Sequence, residues 1–331
     1  MTERSLHKHR LTRRACVVGA SMALAVGLVA GPVQAQEKFP SKPIQVVTHA
    51  GAGGGTDVSV RMMLLQARSA LKQDLVVLSK TGGNGAVSIN FLESQPADGY
   101  TILAITPSHL ATIAQGKVKV KFEDLVGIAR MTDDPQYLMI KKGKYASAKA
   151  MIEAAQKGKL KVAGTQVGGV DHIAIASFAK KVKGGFQFDY VPYKGGAHIA
   201  TALIGGDVDV GVVNYSEAEA QVQAGEIEPI LSLTMKRKDI TPNTAAAGEL
   251  GIPVKMSTVR GVVALKGTPQ DRVDTLEKAL MGSMKDSVFQ TYLKSVGLGP
   301  DSVVGAKEWQ AQMKDLYEET QAQLKELGFI K

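Results

Sequence analysis

Residues 44–60 read IQVVTHAGAGGGTDVSV. An apolar run, 44–48, enters a loop with glycine at 51, 53, 54 and 55, and Thr56-Asp57 opens a helical pattern. A strand that breaks into a glycine loop and resumes as a helix is the building unit of α/β sheets. Glycine carries no Cβ, so backbone N–H groups can crowd around one point. The N–H groups of a helix's first turn have no intrahelical acceptor, and the helix dipole adds positive potential there. The loop therefore suits an anion, a carboxylate or a phosphate, held at Gly53, Gly54, Gly55 and Thr56, with the Thr56 hydroxyl as a further donor. Asp57 fits an anion site poorly and suits helix capping.

The same order recurs further along. A strand at 160–163 runs into GTQVGGVDHIAIASFAKK, residues 164–181, with glycine at 164, 168 and 169 and Asp171-His172 at the helix start. His172 is placed there either to donate to a ligand or to sit half-buried as a capping neighbour. Tyr193-Lys194-Gly195-Gly196 follows a strand at 186–190 and opens another helix, and Asn214 ends a strand at 208–213. In open α/β sheets, ligands sit beyond the carboxyl ends of the strands. Two lobes, each with such a mouth, would close on one ligand from both sides.

The known glycine motifs do not fit. A dinucleotide loop needs a glycine where Thr56 stands. A phosphate-binding Walker loop needs a lysine that is missing, and no G-x-S-x-G nucleophile elbow occurs in these loops. Outside residues 1–35 the histidines are His49, His109, His172 and His198, without the spacing of a metal site. No cofactor, metal or catalytic residue is expected.

The N-terminus reads as an export signal. Arg4, Lys8, Arg10, Arg13 and Arg14 precede an uncharged stretch, ACVVGASMALAVGLVA, and Val33-Gln34-Ala35 supplies a small-residue cleavage site. The stretch is shorter than the roughly 20 residues that span a bilayer. Cleavage near Ala35 would remove five basic residues and Glu3, lowering the net charge from +9 to +5. It would also remove Cys16, the single cysteine, which excludes disulfides and thiolate chemistry in the mature chain. No dense basic run interleaved with aromatics occurs, which argues against nucleic acid. The expectation is an exported, periplasmic protein free of the membrane.

Strand patterns at 44–48, 75–78, 101–105, 137–140, 160–163, 186–190, 208–213, 227–234 and 259–265 alternate with helical patterns at 57–71, 147–157, 171–183, 215–224, 270–284 and 306–326. In the first helix, Val58, Met62, Leu65 and Leu71 are spaced to line one face. Regular alternation predicts mainly parallel sheets covered by helices.

Seven short stretches in order carry a family resemblance: Phe39-Pro40-Ser41-Lys42-Pro43-Ile44, Gly53-Gly54-Gly55-Thr56-Asp57, Gly82-Gly83-Asn84-Gly85-Ala86, Pro96-Ala97-Asp98-Gly99-Tyr100-Thr101, Val191-Pro192-Tyr193-Lys194-Gly195-Gly196-Ala197, Gly205-Gly206-Asp207-Val208-Asp209 and Gly267-Thr268-Pro269. The chain resembles the Bug-type (TctC-like) extracytoplasmic solute-binding receptors of tripartite tricarboxylate transporters. The resemblance implies an α/β, two-lobed type II periplasmic binding fold with a cleft between lobes. One lobe would comprise 36–135 plus 260–331 and the other 136–259, with crossings near 132–138 and 256–261. It implies a small carboxylate ligand, commonly a di- or tricarboxylate, membrane permease subunits as partners and a monomeric receptor. The ligand's carboxylate would be held by two loops, Ala52, Gly53, Gly54, Gly55, Thr56 and Asp57 in one lobe and Gly164, Thr165, Gln166, Gly168, Gly169 and His172 in the other. Thr106, Ser108, Tyr193 and Asn214 would join the cleft. The sequence departs from the family where Thr48-His49-Ala50-Gly51-Ala52 replaces a proline-phenylalanine-alanine-proline run and where Gln166, Val167, Gly168 and Gly169 replace serines. The rival reading is an exported α/β enzyme acting on a carboxylated substrate.

Overall fold

In the computed structural model, which describes residues 38–331, the opening stretch folds as strand β1 (Ile44–Thr48), a glycine loop and helix α1 (Gly55–Leu71). The leader expected at 1–35 lies outside the described residues. The chain continues through β2 (Leu75–Ser79), α2 (Ala86–Glu93), β3 (Thr101–Ile105), α3 (Pro107–Ala114) and the long strand β4 (Leu125–Lys141). Then come α4 (Ala148–Lys157), β5 (Leu160–Gly164), α5 (Val170–Lys181), β6 (Phe188–Pro192), α6 (Gly196–Gly205), β7 (Val210–Asn214), α7 (Tyr215–Gln223) and β8 (Ile227–Ser232). The last elements are β9 (Ser257–Leu265), α8 (Gln270–Lys285), α9 (Ser287–Ser295), β10 (Val304–Gly305) and α10 (Ala306–Glu326).

Two parallel trios organise the sheet, β2-β1-β3 and β6-β5-β7. They are joined by β4 and β9, which run antiparallel to their neighbours. The first part of β4 pairs with β9, from Leu125 opposite Leu265 to Pro135 opposite Ser257. Its second part pairs with β7, Gln136 opposite Asn214, and with β8. One strand thus belongs to both halves of the fold. It is buried almost throughout because helices cover it on both faces. That is the two-lobed periplasmic-binding architecture.

The inner strands of the second trio, β5 and β7, show why both of their faces carry apolar residues. Val162 and Val212 enter one core, with Leu138, Ile173 and Phe178. Their neighbours Ala163 and Val213 enter the other, with Tyr137, Ile199 and Leu203. Successive side chains on a strand point to opposite faces, so a sheet sandwiched by helices needs both sets apolar. In the first lobe, Val47, Leu103, Ile105, Leu110 and Trp309 share one core. Trp309, on α10, packs over Gly261 of β9, where a Cβ would run into the indole ring, and its Nε1–H donates to Val262 O at 3.2 Å.

Two expectations change. The face of α1 spaced by Val58, Met62 and Leu65 points outward: Val58 is 36% and Leu65 49% exposed. The buried side is Thr56, Ser59, Val60, Met63, Leu64, Ala67 and Leu71, because the first turn faces polar partners rather than a core. The strand expected at 137–140 is the tail of a 17-residue strand. Helices α2, α3 and α9 fall where no helix was expected. Among the described residues, no helix is long and apolar enough to cross a membrane.

Candidate functional site

The loops beyond β1, β2 and β3 and those beyond β5, β6 and β7 open onto one cavity of about 580 Å³. From the first lobe it is lined by residues that include Gly54, Gly55, Thr56, Thr106 and Ser108, and from the second by Thr165, Gln166, Asp171, Tyr193, Lys194 and Asn214. Thr258 and Arg260 of β9 and Glu217 of α7 complete the lining.

The first loop is folded on itself. Gly53 has φ +78°, a conformation side chains resist, and its N–H donates to Asp57 Oδ2 at 3.0 Å. Asp57 also pairs with Arg61 at 2.8 Å, so this carboxylate closes the loop. The Gly54 N–H donates to Gly51 O at 3.1 Å. Two of the expected donors, Gly53 and Gly54, are therefore used within the loop, and Ala52, Gly53 and Asp57 are not among the cavity's lining residues. Gly55 and Thr56 begin α1 with first-turn N–H groups that have no intrahelical acceptor, and both line the cavity.

The second loop is organised by Asp171, which is buried. Its Oδ2 accepts from Thr165 N at 2.9 Å and Thr165 Oγ1 at 2.6 Å, and its Oδ1 from Gln136 Nε2 at 2.5 Å. Burial raises its pKa, with Thr165 the main opposing influence. His172 turns away from the cavity: it stacks on Tyr190 at 4.1 Å, and its Nδ1 accepts the Gly168 N–H at 3.1 Å. Gly164, Gly168 and Gly169 shape the loop without lining the cavity. The loop also bridges the lobes, since Val170 N donates to Ser108 Oγ at 3.3 Å and Gln115 Nε2 to Gly168 O at 3.2 Å.

Arg260 was not anticipated. It is 1% exposed, and its Nη1 meets Asp134 Oδ2 at 2.9 Å and its Nη2 meets Glu217 Oε1 at 3.3 Å. Its Nε donates to Thr56 Oγ1 at 3.4 Å, leaving the hydroxyl hydrogen free for another acceptor. Burial raises the pKa of Asp134 against the pull of Arg260. Burial pushes Glu217 up to about 7; Arg260 opposes this, and Asp171 and Asp134 add to it. The available sign was an arginine inside the apolar run predicted as a strand at 259–265, since a buried cation requires paired carboxylates.

His109 is not set up as a general base. His109 is buried, and its Nδ1 accepts the Thr106 N–H at 3.1 Å. The ring proton is therefore assigned to Nε2, which donates to Ser88 Oγ at 3.0 Å, while that hydroxyl donates to Gly85 O at 2.8 Å. This polarity is the reverse of base activation, where the imidazole must accept from the serine. His49 lines the cavity and packs edge-on to His109 at 4.4 Å. Burial, assisted by Arg260, pushes it down to about 4, so it is neutral at physiological pH. His49 Nδ1 and Thr258 Oγ1, both on cavity residues, are buried without a hydrogen-bond partner. Among the described residues, no group of three metal-ligating side chains clusters.

Comparison with known proteins bears on this geometry. The family model described as "Tripartite tricarboxylate transporter family receptor" matches residues 59–328. Protein BugT of Bordetella pertussis is 27% identical over 300 residues, covering 88% of this chain and 90% of its own. A Rhodopseudomonas palustris protein solved with adipate superposes with a TM-score of 0.79 at 22% identity, covering 88% of this chain and 98% of that one. MatC of the same organism, solved with bound malate, gives 0.74 at 21% identity, covering 87% and 98%. At these identities the solved structures establish the fold alone.

Proposed function

The chain belongs to the tripartite tricarboxylate transporter receptor family, and from that premise we propose that it captures a small carboxylate, a di- or tricarboxylate, between its lobes and delivers it to membrane permease subunits of such a transporter. The observation that carries this reading is the first turn of α1 opening onto the cavity at Gly55 and Thr56. That is an anion site in the making, with the Arg260 guanidinium behind it. The malate and adipate named for the two solved neighbours support a carboxylate as the ligand.

In this reading the ligand's partners are Gly54, Gly55, Thr56, Thr106 and Ser108 from one lobe and Thr165, Gln166, Tyr193 and Asn214 from the other, all lining the cavity. The lobes comprise 36–135 with 260–331 and 136–259, hinged where β4 and β9 pass between them. Closure buries the ligand and shapes the surface that the permease reads. The chain is exported to the periplasm by the leader at 1–35, acts as a monomer and makes or breaks no bond.

A ligand that binds only the native state at 100 Kd adds about 2.7 kcal/mol of stability. Protein refolded to remove any bound solute should therefore melt higher with at least one member of a panel that includes malate, adipate, succinate, citrate, aspartate and glutamate. A melting temperature unmoved across the whole panel overturns the carboxylate assignment.

A further inference from the structure

Glu217 stands where the two lobes meet the cavity. A Cβ on Gly55 would lie 2.5 Å from Glu217 Oε1, and a Cβ on Gly196 would collide with Glu217 Oε2. Gly55 and Gly196 are the first residues of α1 and α6, so the carboxyl group sits against the starts of two helices from opposite lobes. Its Oε1 takes Arg260 Nη2 at 3.3 Å, whereas Oε2 accepts no hydrogen bond among the described residues.

The charges around it are unbalanced. Arg260 is matched by Asp134 at 2.9 Å before Glu217 is counted. Asp171 also lines the cavity, and Lys194 is the one other cation among the lining residues. Three carboxylates thus surround two cations. A ligand made only of carboxylates deepens this imbalance in a site partly shielded from water, where like charges repel strongly. A cationic group on the ligand would relieve it. The unpartnered Thr258 Oγ1 and His49 Nδ1 add polar atoms ready for a polar ligand.

On the reading of the cleft given above, we infer that it selects a carboxylate carrying a protonated amine: the carboxylate lies on the first turn of α1 and the amine on Glu217 Oε2. Because Glu217 touches Gly55, the two positions adjoin, and the amine belongs within a few atoms of the carboxylate. The pKa of Glu217, raised to about 7, reflects burial first and the neighbouring acids second. An ammonium group at Oε2 would return it to the ionised form.

Isothermal titration at pH 8 with two pairs that differ only in the amine, succinate against aspartate and glutarate against glutamate, tests this. A charge-assisted hydrogen bond predicts a preference of roughly tenfold to a hundredfold for the amine in at least one pair. Glu217→Gln keeps an acceptor for Arg260, and the preference should fall to about threefold or less as the plain diacid gains affinity. Wild-type titrations in two buffers of different ionisation enthalpy supply a readout that needs no variant: the amine ligand should bind without proton uptake. A plain diacid that binds at least as tightly, with one proton taken up, would mean that Glu217 neutralises itself. That result overturns the amine assignment and leaves the carboxylate cleft standing, as does binding of citrate, malate or adipate with neither amine ligand bound. Failure of every carboxylate overturns both.

Discussion

A guanidinium as deeply buried as that of Arg260 persists only where carboxylates and hydrogen bonds replace its water. Asp134 supplies the short contact and Glu217 the longer one. Removing Arg260 alone, as Arg260→Met, leaves Asp134 uncompensated and should cost about 3–5 kcal/mol in urea unfolding. Asp134→Asn in the same chain should recover part of that loss. Glu217 makes a separate, pH-dependent contribution. Its folded pKa, about 7, lies above its ordinary 4.5, so its share of stability is full below about 4.5 and is lost as pH rises through 7. The span corresponds to on the order of 3 kcal/mol. Thermal melts of Glu217→Gln should therefore gain on the wild type between pH 4.5 and 7, and a constant difference across that window would contradict the assignment. Lys194, whose neighbour Gly195 has open space around it, should matter less: Lys194→Ala is expected to change ligand affinity by no more than about fivefold, corresponding to roughly 1 kcal/mol.

The elements divide by how far local pattern alone specifies them. β1, its glycine loop and α1 could be read from residues 44–60, since an apolar run, four glycines and a helical pattern occur there in order. The second glycine loop repeated the order. β4 could not be read whole: Arg130, Asp133, Asp134 and Pro135 interrupt it, and only its partners in both lobes make those residues part of a strand. The buried face of α1 was misread because Thr56, Asp57 and Ser59 are buried for their polar contacts, Asp57 with Gly53 and Ser59 Oγ with Tyr292 Oη at 2.8 Å. For the candidate site, the loops were anticipated, but the Arg260, Asp134 and Glu217 cluster joins residues up to 126 positions apart. No local pattern reports such a meeting. The docking of α10 on β9 is testable at this scale. Gly261→Ala would push a methyl group into Trp309 and should cost about 1–3 kcal/mol. Gly282→Ala, in open space on α8, should stabilise by about 0.4–1 kcal/mol. Urea titrations of the two variants should move in opposite directions.

Across the whole molecule, two parallel trios turn their carboxyl ends to one cavity, and two antiparallel strands join them. The arrangement brings two loops, far apart in sequence, onto a single cavity. Hydrogen bonds from Val170 N–H to Ser108 Oγ and from Gln115 Nε2 to Gly168 O tie the second loop across to α3. On the proposed function, a carboxylate sits on the first turn of α1 inside that cavity. Gly55 is the residue that tests it, because a methyl group there would press on Glu217 Oε1 and Arg260 Nη2 at 2.5 and 2.7 Å. The measurement is isothermal titration of wild type and Gly55→Ala with the tightest carboxylate of the panel, both proteins checked for a native circular-dichroism spectrum. One ligand per wild-type chain is expected, with at least about a tenfold loss of affinity in the variant, the effect of one disturbed charge-assisted hydrogen bond. Equal affinity in the two proteins would contradict it and place the carboxylate elsewhere.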